Sequence, residues 1–112
     1  MADLTPGAVV ANMAKLSQQL EELTDRLDGA ERAAVNAKLD YERAYELAFL
    51  AADGPQYLRE VIAKNAAHDQ RRVVEHALRE VRSIKAHITT VGTRIDVGRS
   101  AWSALRAEMN LT

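Results

Sequence analysis

Apolar side chains recur along the first half of the chain at alternating steps of four and three. They are Val9, Met13, Leu16, Leu20, Leu23, Leu27, Ala30, Ala34, Ala37, Tyr41, Ala44 and Ala48. A strict three-four alternation held over more than five heptads is the seam of a coiled coil. Thr5 followed by Pro6 predicts where the helix begins, because Thr is a good N-cap and Pro suits the first helical position. Gly29 lies inside the series and weakens helix propensity by about 1 kcal/mol relative to Ala. The register continues past it, so the pattern predicts one helix over about residues 6–52, with Asp28-Gly29 as the place where it would bend or break.

Gly54-Pro55 interrupts the pattern and predicts a turn over about 53–56, since Pro cannot sit inside a helix. Beyond it the alternation returns as Val74, Ala77, Val81, Ile84, Ile88, Val91, Ile95, Gly98, Trp102, Leu105 and Met109. This predicts a second helix over about 57–109. Traced backwards the series reaches Ala67 and Ala63 but passes through Gln70. Tyr57, Leu58, Val61 and Ile62 form an apolar cluster of their own. A break near 67–70, with a short separate helix over about 56–67, is therefore the alternative. A strand is the alternative between Ile84 and Val97, where β-branched residues are frequent and Thr89, Thr90 and Gly92 weaken helix propensity. Gly92 and Gly98 point either to another backbone passing close by, from the start of the first helix, or to a break.

Two helices of this length, each about 70–80 Å at 1.5 Å per residue, joined by a tight turn must lie antiparallel. The fold class expected is all-α, a long antiparallel helical hairpin (coiled coil) forming a single domain. Residues whose numbers sum to about 109 should face each other, so Leu27 meets Val81, Leu20 meets Ile88 and Ala34 meets Val74.

Charge sharpens this picture. Residues 1–55 carry five Lys or Arg against ten Asp or Glu, a balance of −5, and residues 56–112 carry ten against six, a balance of +4. Opposite helices of opposite sign suit flanking charge pairs, which fix register more than stability. Overall the chain is nearly neutral, at −1, and has no global basic footprint. The cationic side chains Arg71, Arg72, Arg79, Arg82 and Lys85 nevertheless cluster within about four turns. They are the candidate nucleic-acid contacts, with pairing to the acidic first helix as the competing use. Arg94, Arg99 and Arg106 follow further along.

A lone pair of helices has a thin core, and several large apolar residues fall off the seam. Leu39, Tyr45, Leu47, Phe49 and Leu50 on the first helix and Tyr57 and Leu58 after the turn make the turn end apolar nearly all round. Such a segment is buried by something. Self-association into a helical bundle, or docking on another protein, is expected, the alternative being that 56–67 folds back over it. Trp102 is a candidate anchor at the other end, where it would pack near Val9 and Val10.

Candidate chemistry is sparse. The chain has no cysteine, which removes thiol catalysis, disulfides and Cys-ligated zinc. His68, His76 and His87 lack the Glu-x-x-His and His-Glu-x-x-His contexts of metal-binding helices, and no metal or cofactor is expected. Glu21-Glu22 and Asp25-Asp28 read as a solvated face. A long hairpin offers little concave volume. An enzyme is not expected, nor a small-molecule substrate. No apolar run is long enough to span a membrane, and the first residues lack the features of a signal peptide, so a cytoplasmic protein is expected.

Ala33-Ala34-Val35-Asn36-Ala37-Lys38, Tyr41, Ala44-Tyr45, Ala48-Phe49-Leu50 and Gly54, followed by Thr93-Arg94-Ile95-Asp96-Val97-Gly98-Arg99-Ser100 and Leu105-Arg106-Ala107-Glu108, carry a resemblance. In them the chain resembles, over nearly its whole length, short helical proteins encoded by tailed bacteriophages of actinobacteria. The resemblance implies a phage protein acting in the host bacterial cytoplasm on phage or host partners. It implies roles in phage DNA replication and recombination, in virion assembly or in host interference, and it transfers no catalytic or binding residue.

Overall fold

The computed structural model describes residues 5–111. Three helices account for nearly all of them: α1 over Pro6–Ala51, α2 over Gln56–Ala66 and α3 over His68–Leu111. No strand occurs among the described residues. The protein is an all-α helical hairpin with coiled-coil character.

Local chemistry sets the boundaries. Thr5 Oγ1 accepts a hydrogen bond from the Ala8 backbone N–H at 3.1 Å, satisfying one of the amides that a helix start leaves without a partner. α1 runs through Gly29 without a break. It ends at Ala51, and Gly54 turns the chain with φ 108, a backbone conformation that glycine adopts without steric cost. Pro55, with φ −67 and ψ 158, caps α2, its carbonyl accepting from the N–H groups of Leu58 and Arg59 at 3.1 Å each.

The second half is two helices that meet at Ala67 (φ −96, ψ 11). The junction is a distortion rather than a gap: Ala67 N–H donates to Ala63 O and Arg71 N–H to Ala67 O, both at 3.0 Å. The stretch from Ile84 to Val97, for which a strand was the alternative, is helix. Its hydroxyls are accommodated by bonding back one turn, Thr89 to Lys85 O, Thr90 to Ala86 O and Thr93 to Thr89 O, each at 3.1 Å. That backbonding lets β-branched threonines sit in a helix without an unsatisfied group.

The chain divides into two compact units. One joins the stretch of α1 up to Arg26 with α3 from Ile84 onward, and the other is Leu27–Ser83. In the first, Val9, Leu16, Ile84 and Val91 are buried, Ile84 almost completely. Met13 lies against Gly98, a pair whose numbers sum to within two of the expected register. In the second, Ala34, Ala37, Ala63, Ala67 and Val81 form the core, small residues that let helices approach closely.

The glycines of α3 are not equivalent. A Cβ at Gly98 would overlap Met13 Sδ, so the close neighbour is a side chain of α1, not its backbone, and the helix does not break. At Gly92, as at Gly29, a Cβ would meet nothing within 4 Å. Neither glycine is required by packing, and both reduce helix propensity. Gly29→Ala and Gly92→Ala should each raise stability by about 0.5–1 kcal/mol, read as an upward shift of the thermal midpoint by circular dichroism. A drop in either variant would show that the space beside that glycine is occupied.

Candidate functional site

Two surfaces carry what chemistry the chain offers, and both can be followed within Leu27–Ser83. The first is α2. Its buried side is Ala63 and Ala67, both 0% exposed. Successive residues rotate 100° about a helix axis, so Leu58, Val61 and Ile62 lie on the side opposite these alanines. All three are exposed, at 40–52%. An ordinary surface helix buries its large apolar residues and exposes its small and polar ones; α2 does the reverse. Leu47 and Leu50 in the last turns of α1, and Tyr57 at the start of α2, are also exposed. Segment 56–67 thus folds back over the turn end only in part, leaving Leu47 and Leu50 exposed and adding Tyr57, Leu58, Val61 and Ile62 to them.

The other candidates for partner contact divide. Leu39 is exposed. Tyr45 and Phe49 are half-buried and engaged within the chain: their rings stack at 6.3 Å between centroids, 13° apart. The Arg59 guanidinium sits 4.4 Å above the Phe49 ring. Arg59 also donates from Nε and Nη2 to Phe49 O, at 3.2 and 3.0 Å. One arginine of α2 thereby satisfies a carbonyl in the last turn of α1 and covers an aromatic face. It fastens α2 to α1, a role the apolar pattern does not signal. An Arg one turn after a Gly-Pro break, with an aromatic in the last turn before it, is the signal that was available. Trp102, in the other unit, is half-buried and shares an apolar hollow with Val9, Val10 and Met13. It packs where the sequence placed it.

The second surface is the basic stripe. Arg72 and Arg79 stand two residues from the seam positions Val74 and Ala77, and Arg82 one residue past Val81, so all three project from the outer side of α3. Together with Glu75, His76 and Leu78 they line a shallow hollow of about 350 Å³. The ion pairs seen along the helices are local: Asp28 with Arg32 at 3.1 Å, Arg71 with Glu75 at 3.5 Å and Asp96 with Arg99 at 3.9 Å. Among the described residues, Arg72, Arg79 and Arg82 have no carboxylate within ion-pair distance. Arg71 is tied to Glu75. Lys85 belongs to the other unit and has an interaction of its own. The five-residue cationic cluster thus reduces to three outward arginines.

An open groove of about 690 Å³ runs between α1 and α3 beside Val9, Leu16, Thr93 and Val97. Its titratable side chains are Lys15 and Arg94, which supply no carboxylate or imidazole for proton transfer at neutral pH. His68, His76 and His87 are exposed, and no three His, Asp or Glu residues among the described ones come together as metal ligands would. No described helix is long and apolar enough to cross a membrane. Comparison with protein-family profiles, curated proteins and solved structures finds no match to this chain.

Proposed function

We propose that the protein is a non-enzymatic helical interaction module that works as an assembly of two or more copies. The observation that supports this best is the reversed α2: Ala63 and Ala67 inside, Leu58, Val61 and Ile62 outside. Exposed apolar residues clustered on one helix face mark an interaction surface. A second copy is the partner this reading commits to, because two hairpins that bury the same face become a bundle with the core that one hairpin lacks. Leu47, Leu50 and Tyr57 extend the surface around the turn. The resemblance of Thr93–Ser100 and its companion motifs to actinobacterial phage proteins supports placing the assembly in the host cytoplasm, as an accessory to phage DNA-processing proteins. Work in virion assembly is the alternative, and would place the protein in purified particles.

Sedimentation velocity over a range of concentrations tests the reading. The native chain should sediment above one chain's mass, and Leu58→Asp with Ile62→Asp should sediment as a monomer with its helical circular dichroism retained. A native chain that stays monomeric throughout, or a double variant that associates like the native chain, would refute it.

A further inference from the structure

A second surface, independent of the apolar one, has a use of its own. We propose that Arg72, Arg79 and Arg82 bind the phosphate backbone of double-stranded nucleic acid. A cationic stripe on one helix of an oppositely charged hairpin is most simply explained by pairing with the acidic helix. Position rules that out for Arg72 and Arg79, and Arg82 next to them is likewise exposed. Arg72 and Arg79 are rotated about 140–200° from the seam residues Val74 and Ala77 at 100° per residue, so they face away from α1. They have no carboxylate partner among the described residues. Of the carboxylates that interrupt the stripe, Glu75 is held by Arg71 at 3.5 Å and Glu80 has an interaction of its own. What remains is a row of exposed guanidinium groups along about 15 Å of helix.

The composition of the row selects the ligand. Arginine presents a planar fork of donors that matches phosphate oxygens in pairs, which an ammonium does not. The hollow that the three arginines line holds no Phe, Tyr or Trp, and its one ring, the imidazole of His76, cannot stack a succession of bases. Single-strand binding depends on bases stacking on aromatic rings, whereas contacts to a duplex backbone need none. The stripe therefore fits a duplex, read through its phosphates without sequence preference.

Fluorescence anisotropy of a labelled duplex, titrated with the full chain at several salt concentrations, tests the proposal. Three phosphates neutralised per chain predict a slope of log K against log salt of about −2.7. Arg72→Glu with Arg79→Glu and Arg82→Glu should weaken binding by about tenfold or more and flatten that slope, while the triple Lys variant keeps the slope, which counts charges, and loses affinity with the paired contacts. Absent binding at low salt, or binding that the charge reversal leaves unchanged, overturns the proposal. So does a charge-reversed variant that loses self-association but keeps its duplex affinity, which would assign the stripe to carboxylates of a second copy. The Leu58→Asp, Ile62→Asp variant separates this from the assembly reading. It should keep the slope per chain even as a monomer, and loss of all duplex binding in it would overturn the independence of the two surfaces.

Discussion

Ile84→Ala should lower the stability of the protein by about 3 kcal/mol, the middle of the range for an isoleucine truncated in a core that cannot collapse around the gap. Ile84 is 2% exposed and is the largest side chain so deeply buried among the described residues. Val9, Leu16 and Val91 are the other buried residues of its unit among those described, and all sit on long helices whose backbones cannot move inward one residue at a time. In a chain of this size the loss corresponds to a thermal midpoint lower by on the order of 15 °C. Val97→Ala, six residues after Val91 and on an exposed face, should change stability by less than about 0.5 kcal/mol. Circular dichroism melts of the two variants side by side make the comparison, and equal shifts would mean that Ile84 is not the centre of that core.

Ala63→Asp should be at least as damaging, for a different reason. Ala63 has no exposed surface, and its methyl sets how closely α2 approaches its neighbours. A carboxylate there would be buried without a cation to pair with, a situation that costs about 3–5 kcal/mol. Moving α2 outward to wet the charge would pull Arg59 from Phe49 O and from its ring. The same substitution at exposed Ala66, three residues on, should cost little beyond helix propensity, about 0.7 kcal/mol or less. Thermal melts and limited proteolysis read the difference: early cleavage between α1 and α3 is expected in Ala63→Asp and not in Ala66→Asp. If both variants behave alike, α2 is not packed through Ala63.

The apolar periodicity carried most of the fold. Each member of the first series, from Val9 to Ala48, is buried or half-buried, and so is each member of the second from Val74 to Leu105; Met109 alone is exposed. A seam is legible because its period is imposed by the helix itself. The junction at Ala67 was legible only as an alternative. Gln70 holds a seam position where an apolar residue is expected, and its Oε1 is buried without a hydrogen-bond partner among the described residues. A polar side chain in a seam weakens the pattern while helping to specify one register. The backbone approach expected at Gly92 and Gly98 is absent, a Met13 side chain at Gly98 and nothing within 4 Å at Gly92, because composition shows where a side chain is missing but not whether anything fills the space.

The candidate surfaces were legible in part. Tyr57, Leu58, Val61 and Ile62 stood out as a cluster, but only the position of Ala63 and Ala67 shows that the cluster faces outward. The arginines stood out as a run, but a count of charges does not say which point outward. Arg59 gives no signal in the apolar pattern because its two partners, a carbonyl and a ring, lie on another helix.

The turn at Ala52–Pro55 also sets an order of events. Arg59 meets Phe49 across a loop of 10 residues, whereas Met13 meets Gly98 across about 85. Loop closure costs chain entropy that grows as (3/2)RT ln n, so the second contact is dearer by about 2 kcal/mol if made first. Loop entropy therefore favours closure from the turn: α2 clasps the end of α1 early, each later contact closes only a small additional loop, and the start of α1 meets the last turns of α3 last.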